Sequence, residues 1–416
     1  MFLGWSLGAN DAANVFGTAV GARMISFKKA AILCGLFVIF GSVISGAGAS
    51  ETLGKLGAVN AIGGAFIVAF AAGMSVYLMT MAGYPVSTTQ AIVGGIIGWN
   101  LFTGSLIDYN LLITITSTWV LSPVLTAIFS MILYKAVAFY INRCKIHMFT
   151  LDARTRFGLI LVGAFGSYSL GANNIANVMG VFVPVSPFAD ISLFGIFKLT
   201  AAQQLFFIGG VAIAIGVLTY SKKVIMTVGT AIFEISPVAA FVVVLAESIV
   251  LFVFASQGLQ SLLIGLGLPA IPLVPVSSSQ AVVGGVVGIG LLKGARAIQW
   301  RVVGRIAASW VFVPLIAALI SLISLFFMQN VFQQRTYLPV KYVLTPEAME
   351  RISGYGVDTN KFKDLLGKEF PNAVRFKVAL SERLALTSDE LNLIMTFAEV
   401  DEMKVTKDRG QDRPYR

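Results

Sequence analysis

Two short stretches carry side chains able to do chemistry where water has little access. Gly8-Ala9-Asn10-Asp11-Ala12-Ala13-Asn14 recurs 163 positions later as Gly171-Ala172-Asn173-Asn174-Ile175-Ala176-Asn177. Each lies in a run apolar enough to enter a bilayer, so its amides and the one acid sit where lipid offers no hydrogen bond. Polar groups held there at a cost, and held twice, mark a candidate binding site. The oxygens of Asn10, Asp11, Asn14, Asn173, Asn174 and Asn177 are hard donors of the kind a small cation uses.

A second pair of stretches supplies the opposite chemistry. Pro85-Val86-Ser87-Thr88-Thr89-Gln90 followed by Gly94-Gly95 returns as Pro275-Val276-Ser277-Ser278-Ser279-Gln280 followed by Gly284-Gly285, an offset of 190. Proline suits the first turn of a helix, and flanking hydroxyls cap its free N–H groups. Each stretch therefore reads as a helix beginning inside the membrane, where backbone N–H groups and a partial positive charge suit an anion. Ser87, Thr88, Thr89, Ser277, Ser278 and Ser279 add donors, as many as an oxyanion with four oxygens would use. None of the four stretches contains Lys or Arg. A bound dianion would then lack fixed compensation in a low-dielectric site, which is costly. Co-bound cations, held by Asp11, the asparagines, Gln90 and Gln280, resolve that. The residues point to a symporter in which sodium neutralises an oxyanion.

The elements that must position these groups follow from composition. Apolar residues make up 57% of the 416-residue chain and charged residues 12%, about half the charge of a soluble domain. The chain is expected to be a multi-pass protein of the cell membrane. Residues 1–328 hold 16 Lys/Arg and 7 Asp/Glu, and residues 329–416 hold 14 and 13. The net charge of +10 thus comes almost wholly from the membrane body (+9), in short loops, a pattern of cytoplasmic anchoring and not of nucleic-acid binding. Cys34 and Cys144 form no disulfide framework, and His147 reads as a solvated loop residue. No charged leader precedes Gly8, so no signal peptide is expected.

Apolar runs of roughly 20 residues predict helices over 3–22, 29–49, 61–82, 86–104 and 111–134. A basic loop then separates them from helices over 157–183, 193–219, 225–256, 275–292 and 301–328. The 225–256 run carries Pro237 and reads also as two pieces, and 258–274 reads as a segment that dips in and returns. Trp119 and Pro123 echo Trp310 and Pro314 at an offset of 191, a third match in the same order. Five crossings per half is an odd number, so the duplicated halves should have opposite orientation. Arg23, Lys28, Lys29, the 135–156 loop, Lys222, Lys223, Lys293, Arg296 and Arg301 then share one side. The expected fold class is an all-α membrane protein, an inverted-topology repeat of about ten to twelve membrane helices including broken or re-entrant ones, plus a small soluble C-terminal segment. Its domains are 1–134 (repeat 1), 135–156 (basic cytoplasmic linker), 157–328 (repeat 2, inverted) and 329–416. In the last, Thr345-Pro346-Glu347 reads as a helix start and Gly354-Tyr355-Gly356 as a break.

The four ordered motifs resemble the inorganic phosphate transporter (PiT) family from about residue 4 to 328. The resemblance implies secondary transport of inorganic phosphate with a cation, an inverted-repeat fold, no enzymatic chemistry and a homodimer. It points to Asp11, Asn14, Asn174, Asn177 and the hydroxyl stretches as the site. Two positions depart from the pattern. Asn174 stands where the family motif commonly has Asp, leaving one carboxylate of a possible pair, and Val38 stands where animal sodium-coupled members carry an acid. Sodium and proton coupling both stay open, as does sulfate as an alternative substrate. Hydrogen phosphate can donate its proton to Asp11, whereas sulfate meets it as a like charge. From another class, an anion channel would show rings of like residues and no opposed helix starts. A membrane hydrolase would need a base beside one of the hydroxyl clusters.

The remaining acids read more plainly. Glu51 and Lys55 form a surface pair at helical spacing. Glu234 and Glu247 are the other acids in apolar runs of the second half, and Glu234 lines either the pathway or a water-filled crevice. The paired glycines permit close helix approach. Asp11 itself has a structural alternative, as a hydrogen-bond acceptor between helices.

Overall fold

The computed structural model describes all residues except 22, 58, 83–85, 194–196, 222–235, 297, 356, 382–387 and 401–416. Pro85, Lys222, Lys223, Glu234 and Gly356, singled out above, lie outside the described residues. The chain divides into two compact units, one of Met1–Trp99 with Asp108–Thr336 and one of Asn100–Ile107 with Tyr337–Arg416.

Helices dominate the first unit. In the first half they are α1 (Phe2–Gly21), α2 (Phe27–Ser45), α3 (Ala47–Gly57), α4 (Ile62–Met81), α5 (Thr88–Thr103) and α6 (Tyr109–Cys144). In the second half they are α7 (Met148–Met179), α8 (Ala201–Thr219), α9 (Pro237–Ala255), α10 (Gln257–Gly265), α11 (Ser278–Leu292) and α12 (Trp300–Asn330). Among the described residues, α2, α4, α6, α7, α8, α9 and α12 are long and apolar enough to cross a membrane. α1 is of similar length but carries Asn10, Asp11 and Asn14. Five helices in each half answer to the five expected spans, and the protein is a mostly helical, multi-pass membrane protein.

Several boundaries differ from the sequence reading for identifiable reasons. The 135–156 stretch, read as a loop, is helical up to Cys144 and again from Met148, with the turn made at Lys145 in the left-handed region (φ 45°). An apolar run marks where the bilayer ends, not where a helix does. At 36 residues, α6 is about 54 Å long, well beyond the ~30 Å hydrocarbon layer. The helix expected from 193 begins at Ala201, where Thr200 and Gln203 form a reciprocal capping box. The residues before it pair as a short antiparallel hairpin, β1 (Ile191–Leu193) with β2 (Phe197–Leu199). α9 starts at Pro237 because proline fits a first turn, with Ser236 accepting from the Ala239 N–H. The stretch expected to dip and return contains α10, which buries none of its residues. α3 was not anticipated: Gly46 ends α2 and a separate helix starts after it.

Glycine sets how the halves interlock. A Cβ on Gly8 of α1 would run into the carbonyl oxygen of Ile213 in α8, and one on Gly171 of α7 into that of Val38 in α2. The glycine pairs do the same farther along. Gly94 lies on the backbone of Pro314 in α12, and Gly284 on that of Pro123 in α6. The echoed prolines are thus the surfaces against which the echoed glycines pack, each across to the other half. α7 and α9 are mostly buried, while α6 and α12 expose large apolar side chains such as Ile113, Val120, Val311 and Leu315.

The second unit is small and has its own core. β3 (Lys341–Val343) lies between β4 (Glu369–Phe370) and β5 (Glu399–Val400), both antiparallel to it. Helices α13 (Pro346–Gly354), α14 (Ala373–Ser381) and α15 (Ser388–Ala398) enclose Ile352, Phe362, Phe376, Leu380 and Ile394. The helix start at Thr345 is as expected: its side chain accepts from the Ala348 N–H at 3.1 Å. Strands this short leave no legible alternation in sequence.

Candidate functional site

The two Asn-rich motifs lie within unbroken helices, α1 and α7, and the helices whose starts are buried beside them are α5 and α11. Ser87 and Ser277 cap those starts, each accepting from the N–H three residues on, Gln90 and Gln280, at 3.3 Å. Every one of Asn10, Asp11, Asn14, Ser87, Thr88, Thr89, Gln90, Asn173, Asn174, Asn177, Ser277, Ser278, Ser279 and Gln280 is at most 2% exposed.

Each motif first ties itself to its own half. Asn10 donates from Nδ2 to Oδ1 of Asp11 (2.8 Å) and to the Val86 carbonyl (2.9 Å). Asn173 repeats this, donating to Oδ1 of Asn174 (2.8 Å) and to the Val276 carbonyl (2.7 Å). Val86 and Val276 directly precede the capping serines, so their carbonyls are among those freed where the chain enters the helix.

A second set of bonds crosses between halves. Asn14 donates to Ser278 (3.2 Å) and Ser279 (3.3 Å), and Asn177 donates to Thr89 (2.9 Å). Ser279 donates in turn to the Val86 carbonyl (2.8 Å), and Thr89 to the Val276 carbonyl (3.4 Å). The halves meet directly at Asp11, whose Oδ2 accepts from Asn174 Nδ2 (3.1 Å) and Ser278 Oγ (3.0 Å). With Asn10 that makes three donors on one buried carboxylate. The pattern is a near two-fold arrangement in which each motif helix holds its own α5 or α11 and braces the opposite one.

This arrangement sorts the six hydroxyls. Thr89, Ser278 and Ser279 commit their O–H to protein oxygens, whereas those of Ser87, Thr88 and Ser277 donate to no described group. The first-turn N–H groups of α5 and α11 also lack intrahelical carbonyls. Acceptor oxygens remain as well: Oε1 of Gln90 and Gln280 and Oδ1 of Asn177 have no protein partner among the described residues. Free donors suited to an anion and free oxygens suited to a cation occur side by side.

Sequence reasoning brought all fourteen residues to one region. It missed the specific part of the Val86 and Val276 carbonyls, which carry no side-chain signal, and Thr80, whose hydroxyl approaches Asn10 Oδ1 at 3.4 Å. Glu51, by contrast, pairs with Lys55 at 2.7 Å on an exposed surface, as expected.

Comparison with known proteins is consistent along the chain. The model of the phosphate transporter family matches residues 7–154, 146–269 and 270–409. A protein of Pyrococcus furiosus named "putative phosphate permease" is 26% identical over 386 residues, covering 74% of this chain and 89% of its own. A Haemophilus influenzae protein of the same name is 23% identical over 419 residues, covering 80% and 95%. A solved structure, named as the sodium-dependent phosphate transporter, shares the fold with a TM-score of 0.62 at 24% identity, covering 79% of this chain and 97% of that one.

Proposed function

The chain belongs to the phosphate transporter family, and from that premise we propose that it moves inorganic phosphate across the membrane in symport with sodium, by alternating access. The observation that carries this reading is the reciprocal cross-bracing of two buried helix starts, which pools the N-terminal ends of α5 and α11 around one carboxylate. Phosphate takes the first-turn N–H groups with the hydroxyls of Ser87, Thr88 and Ser277. Thr89, Ser278 and Ser279 complete the shell and hold the helices together. Asp11 and Asn174 serve phosphate and cation together, and sodium takes oxygens of Asn10, Asn14, Gln90, Asn173, Asn177 and Gln280.

The electrostatics favour this division. A dianion among neutral dipoles in a low-dielectric interior is poorly compensated. Sodium bound beside it removes most of that cost and ties the movement of one ion to the other. Because each half supplies the same parts, rocking one bundle against the other exposes the site to alternate sides, as inverted halves in a dimeric carrier would. The name of the structural relative supports sodium as the coupling ion.

Labelled phosphate uptake into proteoliposomes, with sodium and pH gradients imposed separately, tests the reading. Uptake driven by sodium alone supports it. Undiminished uptake after collapse of the sodium gradient overturns sodium coupling in favour of protons, and preference for sulfate overturns the substrate. Preloaded unlabelled phosphate should accelerate labelled uptake, which a pore would not allow.

A further inference from the structure

Glu247, in the middle of α9, is 1% exposed, and neither carboxylate oxygen has a protein partner among the described residues. An acid left bare in a membrane interior is expensive unless something positive meets it. Its position indicates what that is. Val243 of α9 lies against Gly285 of α11, and Phe254 accepts at its carbonyl from the Val274 N–H at 3.2 Å. The two segments therefore run antiparallel, which sets Glu247 level with Gln280 and Ala281, in the first turn of α11.

Its direction follows from its neighbours one turn back. Val243 faces α11 and α6, while Val244 and Ser248 face Gly166 of α7, with Val15 of α1 beside them. Glu247 follows Val243 by four residues and Val244 by three, so it falls on the face between those stripes. That face is the seam where α11, α7 and α1 converge. Gln280, at the same level, also keeps its Oε1 without a protein partner.

The internal repeat gives this acid no counterpart in the first half. Gly41 packs on the Tyr168 carbonyl and Gly216 on that of Trp5, an offset of 175. Applied to α4, the same offset lands on α9 and places Ala72 opposite Glu247. The first half thus has its acid on α1 and an alanine on α4, and the second an asparagine on α7 and an acid on α9. We infer that Glu247, with the Gln280 carbonyl oxygen, forms a second sodium site that replaces the carboxylate missing at Asn174. This rests on the cation-coupled reading above. Three hard oxygens without donors suit a small cation better than a single proton, which would bridge only two of them.

The test uses the full-length protein. Thermal unfolding of purified protein is followed while sodium is titrated against N-methylglucamine without phosphate, and sodium-driven phosphate uptake is measured in proteoliposomes. Glu247→Gln should fold, be no less stable than wild type without sodium, and require about tenfold or more sodium for both stabilisation and uptake. Its phosphate KM at saturating sodium should stay within about twofold. Glu247→Asp should keep a sodium-dependent shift, and Gln280→Leu should weaken it in the same direction. Glu247→Gln with wild-type sodium dependence overturns the inference while leaving symport intact. Destabilisation of Glu247→Gln that is independent of sodium also overturns it, since a structural role would act that way. A wild type that carries phosphate without responding to sodium overturns both the inference and the coupling ion.

Discussion

Asn174 donates its side-chain amide to Oδ2 of Asp11 across 3.1 Å, joining equivalent positions of the two duplicated motifs. An amide fits there because it can donate to the carboxylate. A second carboxylate at that distance could not remain ionised beside the first without a cation between them. Asn174→Asp should therefore lower the unfolding temperature in sodium-free buffer and recover as sodium is added. A variant equally stable at all sodium concentrations would show that no cation reaches this pair.

Removing the charge instead should stop transport. Asp11→Asn leaves Ser278 and Asn174 facing a neutral amide and removes the one acid in the cross-braced cluster, so phosphate uptake should fall to background. Glu51→Gln should transport at the wild-type rate and lose no more than about 0.5 kcal/mol, the scale of an exposed helical ion pair. Equal uptake by the two variants would contradict the site.

The cross-braces should act as equivalents. Ser279→Ala removes one donor from the Val86 carbonyl, and Thr89→Val removes one from the Val276 carbonyl. Each should cost about 1 kcal/mol and weaken phosphate affinity to a similar degree, read from uptake KM. Thr88→Val loses a hydroxyl that braces nothing, so its effect should appear in affinity with little change in unfolding temperature, whereas Ser87→Ala also removes the cap of α5 and should cost about 1 kcal/mol as well.

Gly94→Val and Gly284→Val push a branched side chain into a proline backbone that has no room to yield. Both should lose about 3 kcal/mol or more, seen as poor recovery of monodisperse protein. Gly265→Ala, at a position with open space around it, is the control.

Thr345→Ala removes the cap of α13 and should destabilise the second unit by about 1 kcal/mol. Uptake by the membrane body should not change.

The site was legible because its chemistry is written in residue types that membranes exclude, and because it is written twice. Asn10, Asp11, Asn14 and their copies stand out against apolar runs, and the Ser/Thr stretches announce helix starts through capping rules that act within four residues. Glu247 was visible as an acid in an apolar run, but its level beside Gln280 was not, since that depends on the register between α9 and α11. No local pattern encodes that register. The join of α6 and α7 was misread for a similar reason: Lys135 and Arg143 mark departure from lipid and say nothing about whether the helix stops. The two-residue strands at Glu369 and Glu399 owe their form to the small unit's core and not to their own composition.

The offsets between matching glycines and motifs grow along the chain, from 163 to 175 to 190. Twelve extra residues enter between Asn177 and Gly216, and fifteen between Gly216 and Pro275. On the alternating-access reading proposed above, two identical inverted halves would make the outward-open and inward-open shapes equivalent by a two-fold rotation and equal in energy, with no preferred resting shape. On that same reading, inserts on one half alone lift the degeneracy and give the empty protein a default side.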